Sequence, residues 1–87
     1  MSYKIALTRT AEKEYRYLYK HDNIMFTRIK KVLYSIAEDQ RQGKPLKLTL
    51  KDKWSYRVGV YRIIYSIDGK VLTVYVLDIG HRRNIYK

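Results

Sequence analysis

The sequence predicts a small α+β domain with element order β-α-α-β-β-β, an antiparallel sheet with two N-terminal helices packed on one face. Three observations predict it. Apolar residues recur at a spacing of about 3.6 from Met25 to Ala37, and they alternate with period two from Tyr56 to Ile79. Two tight-turn signals, Gly59-Val60 and Asp68-Gly69, divide the alternating region into three strands. The 87 residues make a single domain, 1–87, with a modest core.

Tyr3 to Leu7 reads as a short strand, with Tyr3, Ile5 and Leu7 on one face. Thr8 or Thr10 can cap the helix that follows, and Glu12 falls in its first turn, where the helix dipole favours a carboxylate. Ala11, Tyr15, Leu18 and Tyr19 make the inward stripe of that helix, the tyrosines with their hydroxyls reaching water. His21, Asp22 and Asn23 break the pattern, and Asp22 is a good cap for a second helix. Met25, Ile29, Val32, Leu33, Ile36 and Ala37 carry that helix to about Asp39. His21 reads as a capping or surface residue, since no second ligand stands at metal-binding spacing from it. Gln40 to Pro45 is polar and holds the only proline, so it reads as a loop. Leu46, Leu48 and Leu50 then alternate with Lys47, Thr49 and Lys51 in a segment that would be an edge at best.

If Asp68 and Gly69 are a two-residue turn, Ile67 faces Lys70, Tyr65 faces Leu72, Ile63 faces Val74 and Tyr61 faces Val76. The turn at Gly59-Val60 pairs Val58 with Tyr61, Arg57 with Arg62 and Tyr56 with Ile63. One sheet face is then apolar: Trp54, Tyr56, Tyr61, Ile63, Tyr65, Leu72, Val74 and Val76. The other carries the row Arg57, Arg62 and Tyr75. Like charges opposed on neighbouring strands destabilise a sheet unless an anion lies over them. The tail brings His81, Arg82, Arg83 and Tyr86 towards the same end of the sheet.

Nineteen Lys and Arg against eight acidic residues give a net charge of +11. Such an excess on a short chain implies a polyanionic partner, either nucleic acid or an acidic protein segment. There is no cysteine, and so neither a disulfide framework nor a thiolate metal site. Without an apolar leader or an ~18-residue apolar run, the expectation is a soluble, cytoplasmic protein with no membrane contact. The absence of a paired-acid motif, P-loop and serine elbow excludes most familiar hydrolases. Arginines beside an imidazole suit a phosphodiester. RNA cleavage needs its 2′-hydroxyl aligned on the adjacent phosphate, charge stabilised and protons moved, with no cofactor. His81 is the best candidate for proton transfer, because arginine is a poor base.

The run from Tyr56 to Tyr65, YRVGVYRIIY, and that from Val76 to Tyr86, VLDIGHRRNIY, resemble the RelE-like toxins of the RelE/ParE toxin-antitoxin superfamily. Thr10-Ala11-Glu12-Lys13 is similar to that family's opening. The resemblance implies a ribosome-dependent, metal-independent mRNA endoribonuclease that cuts mRNA in the ribosomal A site. It also implies an antitoxin partner that wraps the toxin with an acidic segment. Arg62 matches the arginine that stabilises the transition state, Arg82 the second catalytic arginine, and Tyr86 the tyrosine that contacts the substrate base. Arg57 falls near a position where the best-known members use lysine, so proton transfer goes to His81, with Lys51 or Lys53 contributing. Lys51, Lys53, Arg57, Tyr75 and Arg83 are the expected RNA-binding residues. Two alternatives stand beside this reading: a ParE-like inhibitor of DNA gyrase, and a basic module that only binds RNA.

Overall fold

The computed structural model describes residues 2–46 and 52–81. Strand β1 (Lys4–Leu7) leads into helices α1 (Arg9–His21) and α2 (Asn23–Glu38), then the two-residue strand β2 (Lys44–Pro45). Three longer strands follow, β3 (Lys53–Val58), β4 (Tyr61–Asp68) and β5 (Thr73–His81). They form one sheet in the order β1-β5-β4-β3-β2. The α+β architecture is the expected one, with one refinement: β1 lies parallel to β5, so the sheet is mixed. The connection from β1 passes through two helices, and a crossover of that length permits the parallel pairing that a hairpin cannot make. Lys44 and Pro45, read from sequence as loop, pair with Ser55 and Trp54 at the far edge. Proline is tolerated there because an edge strand leaves one side of its backbone unpaired.

Both helix starts follow from their capping residues. The Thr8 hydroxyl accepts from Ala11 N–H at 3.2 Å, and the Asp22 carboxylate accepts from Met25 N–H at 3.1 Å. Ala11, Leu18, Ile29, Leu33 and Ile36 are buried against the sheet, as their spacing requires. Tyr15 is half-buried and stacks at 4.7 Å on Phe26, whereas Tyr19 is 62% exposed and leaves the inward stripe.

The two hairpins differ. At Gly59-Val60 the expected register holds, with Val58 opposite Tyr61 and Arg57 opposite Arg62. Gly59 has φ +59°, which a side chain would strain, and a Cβ there would also meet Met25 and Arg28 of α2. At Asp68-Gly69 the two-residue turn is not formed. The Asp68 carboxylate instead accepts from the N–H groups of Lys70 (3.0 Å) and Val71 (3.4 Å), which curls the chain into a longer loop. Leu72 closes that loop at φ +49°. Asp68 therefore pairs with Thr73, Ile67 with Val74 and Tyr65 with Val76. A bulge follows between Ile64 and Tyr65, and beyond it Ile63 meets Ile79 and Arg62 meets Gly80.

The consequence for the core is small, and for the open face large. Moving the partner of Tyr65 from Leu72 to Val76 is an even shift, so Val74 and Val76 keep the inward face. Both are fully buried beside Ile63 and Tyr65, and the bulge adds Ile79 to them. Leu72, expected in the core, is instead 39% exposed in the loop. The bulge has its own anchor: the Thr8 hydroxyl donates to the Leu77 carbonyl at 2.9 Å while capping α1. A ladder interruption, a helix start and the end of β1 thus share one side chain.

Tyr65 is completely buried, and its hydroxyl is used twice. It donates to the Gln40 carbonyl at 2.8 Å and accepts from Gly43 N–H at 3.1 Å, tying the chain between α2 and β2 to the centre of the sheet. Gly43 sits so close that a Cβ would lie 2.5 Å from the Ser55 carbonyl oxygen and 2.9 Å from the Tyr65 hydroxyl. Burial pushes the Tyr65 hydroxyl above its ordinary value near 10, with the donation from Gly43 working against that rise.

Tyr65→Phe leaves a carbonyl and an N–H without this partner, and is expected to lose about 1–3 kcal/mol in urea unfolding at pH 7. The folded hydroxyl holds its proton more tightly than the unfolded one, so its contribution is complete below pH 10 and is lost as pH rises through the folded value. Unfolding curves taken above pH 10 should therefore show the gap between wild type and variant narrowing. Leu72→Gly removes the left-handed penalty from a leucine, and a gain of about 1 kcal/mol is expected in the same assay.

Candidate functional site

Side chains of a strand alternate between faces, so the registers give the content of the sheet face turned away from the helices. One row is Arg57, Arg62 and Gly80; the next is Lys44, Ser55, Ile64 and Asp78; a third is Lys53, Ser66, Tyr75 and Ala6. Gly80 brings no side chain up against Arg62. Ser55 is only 4% exposed, and its hydroxyl accepts from Arg62 Nη1 at 3.1 Å. That bond fixes how the guanidinium lies on the sheet. Around these groups is a concavity of about 370 Å³ bordered by Gln42, Lys44, Ser55, Arg57 and Arg62.

A larger groove of about 890 Å³ runs along α1 to Asp78 and Ile79. It mixes Arg9, Lys13, Arg16 and Lys20 with Glu12 and Glu14, and Arg16 is already 3.6 Å from Glu12. Size favours the groove, but charge favours the smaller concavity, where every charged side chain on the lining is a cation. Opposed Arg57 and Arg62 repel, and an anion between them relieves the repulsion. The arrangement suits a phosphate group, with planar guanidiniums on two sides.

The expected residues divide into three groups. Arg57 and Arg62 are brought together as their register required, and Lys53 lies two residues from Ser55 on the same strand face. Tyr75 is not in the arginine row: the longer turn moves it opposite Ser66, in the row that also holds Lys53. His81 pairs with Tyr61, and their rings meet edge-on at 5.9 Å. Tyr61 packs on the core side, where burial, then Glu14 and Asp22, raise its hydroxyl above the ordinary value. The imidazole thus lies on the other face of the sheet from Arg62. Lys51, Arg82, Arg83 and Tyr86 fall outside the described residues.

Lys44, Ser55 and Gln42 are site residues that the sequence reading missed. The polar run from Gln40 to Pro45 reads as loop, and the signal for Lys44 is Pro45, since a proline ending a polar loop is compatible with an edge strand. Ser55 carried a signal in its parity, standing two residues from Arg57 on the polar side of an otherwise apolar strand. Among the described residues no three of His, Asp and Glu gather to hold a metal ion, and no helix is long and apolar enough to cross a membrane.

Two helices on a five-stranded sheet, with a cationic concavity on the open sheet face, define a small basic α+β domain. Its family is narrower. The model of the ParE toxin of the type II toxin-antitoxin system parDE matches residues 5–86, and the chain belongs to that family, a toxin of the RelE/ParE superfamily. It is similar to toxin RelG of Mycobacterium tuberculosis (strain ATCC 25618 / H37Rv), with 44% identity over 50 residues. That match spans 58% of each chain, so it extends over little more than half of the curated relative's length. Among solved structures it is similar to the toxin-antitoxin complex RelBE2 from Mycobacterium tuberculosis, with TM-score 0.81 and 28% identity over 94% of this chain and 100% of that one. The YoeB/ParE toxin from Agrobacterium tumefaciens shares the fold at TM-score 0.82 and 20% identity, over 90% of this chain and 96% of that one.

The arginine pair has a measurable cost. Arg57→Gln is expected to raise stability by about 0.2–1 kcal/mol at low ionic strength. The gain should vanish when salt screens the pair, as read from urea midpoints at low and high salt.

Proposed function

We propose that this toxin is a ribosome-dependent endoribonuclease that cleaves mRNA in the ribosomal A site and so inhibits translation. The observation that carries the proposal is the opposed pair Arg57 and Arg62, with Lys44 beside it, around a concavity that has no acidic residue on its lining. In the reaction, the substrate's own 2′-oxygen attacks the adjacent phosphorus and the bond to the 5′-oxygen breaks. A 2′,3′-cyclic phosphate and a 5′-hydroxyl result. The nucleophile is supplied by the RNA, so the step calls for alignment, charge stabilisation and proton transfer, and no metal has to generate a hydroxide.

Arg62, oriented by Ser55, stabilises the pentacoordinate phosphorus, and Arg82 adds a second guanidinium. Tyr86 contacts the substrate base. Arg57, Lys53, Lys51 and Arg83 hold the RNA backbone, and Tyr75, 39% exposed in the same row as Lys53, offers a ring for stacking. His81 moves the protons; because its ring lies against Tyr61, this role requires the imidazole to leave that contact when RNA is bound. The partner that silences the toxin is an antitoxin with an acidic segment, in keeping with the net charge of +11 and with the toxin-antitoxin complexes among the similar structures.

The family description favours a second reading, in which the toxin inhibits DNA gyrase as a ParE-like protein. A ribosome-dependent cleavage assay on a translated message, run beside a gyrase supercoiling assay, separates the two. Cleavage with unimpaired supercoiling is expected; an intact message with inhibited supercoiling would sink the nuclease reading. Arg62→Ala should lower the cleavage rate by about 10²–10³-fold, the loss typical of removing one transition-state donor. Its folding should suffer by only about 1 kcal/mol, the value of one hydrogen bond. A pH–rate profile for His81→Ala against wild type tests the proton-transfer role, and an unchanged profile would remove His81 from it.

A further inference from the structure

The concavity on the open face contains a cation that the reaction just described does not use. Lys44 stands directly opposite Ser55 at the β2 edge, on the face that carries Arg57 and Arg62. Its position is anchored on both sides. Before it, Tyr65 holds the Gln40 carbonyl and the Gly43 N–H, and the Gln42 side-chain amide donates to the Ser35 carbonyl and hydroxyl, each at 2.7 Å. After it, Leu46 N–H donates to the Lys53 carbonyl at 2.8 Å. An exposed lysine on an ordinary loop has no such fastening. Its neighbour across the ladder is the small, buried Ser55, already engaged by Arg62, and among the described residues none on the lining of the concavity is acidic.

We infer that Lys44 binds a backbone phosphate of single-stranded RNA next to the phosphate held by Arg57 and Arg62, forming a second subsite on the β2 side. The geometry separates the two subsites. Strands lie about 4.8 Å apart and residues rise about 3.3 Å each, so the Lys44 backbone starts roughly 8 Å from that of Arg57. Stems that far apart place their charges on neighbouring phosphates more readily than on one. A lysine suits this role because its ammonium acts as a point charge on a flexible stem, whereas the paired guanidiniums impose an orientation. The inference rests on the nucleic-acid reading of the concavity, but not on cleavage.

The test is binding of the whole protein to a fluorescent hexauridylate by anisotropy, over a series of salt concentrations. Each phosphate contact to a single strand contributes about 0.7 to the slope of log affinity against log salt. Lys44→Ala should lower the slope by that amount, Lys44→Arg should restore it, and Lys70→Ala, at the β4–β5 loop, should leave it unchanged. Thermal melts of each variant confirm folding, which an exposed edge side chain should not disturb. A slope for Lys44→Ala equal to that of wild type overturns the inference, as does an equal fall for Lys70→Ala, which would mean that only net charge is being read. The outcomes stay apart from those of the nuclease reading: a protein that binds through Lys44 yet leaves translated message intact refutes the cleavage and keeps the subsite.

Discussion

One buried hydroxyl holds the two halves of this molecule together. Tyr65 sits in the central strand, its ring in the core under the helices, and its oxygen reaches the far edge of the sheet to bind Gln40 and Gly43. The chain leaving α2 has no apolar residue between Gln40 and Lys44 with which to bury itself. Its placement therefore depends on polar bonds, and these have a defined direction where hydrophobic contact does not. Gly43 completes the device, because only a residue without a side chain can pass so close to β3. Everything on the β2 side of the concavity, Lys44 included, is located by this contact.

The inward half of the fold was legible because its signals are redundant. Each buried position of α2 is specified by several neighbours at helical spacing, and Thr8 and Asp22 mark the helix starts by chemistry that has few alternatives. On β4 and β5 the same redundancy absorbed an error of register. Asp68-Gly69 looked like a two-residue turn, yet the Asp68 carboxylate can satisfy two backbone N–H groups itself, and the longer loop it stabilises won. An even shift keeps alternating valines facing inward, so Val74 and Val76 stayed in the core while Leu72 left it and the pairings changed.

The open face had no such protection. A polar face carries no packing term that rejects a wrong neighbour, and so Tyr75 was assigned to a row from which it is separated by four residues of strand and a bulge. The bulge carries no local sequence signal, and the bond that anchors it comes from Thr8, nearly seventy residues earlier in the chain. The face of His81 depends on the same bulge: without the extra residue in β5, Ile79 would stand opposite Arg62 and His81 would share its face, whereas with it Gly80 takes that place and His81 pairs with Tyr61. What did survive on this face, the Arg57 and Arg62 pair, was fixed by the shorter and more local hairpin at Gly59.

That exchange bears on how the surface works. With Gly80 opposite Arg62, the guanidinium lies on the sheet against Ser55, and a planar, pre-oriented donor is what a phosphate contact needs. The bulge thus sets the His81 imidazole against Tyr61 on one face of the sheet and leaves the guanidinium pair on the other.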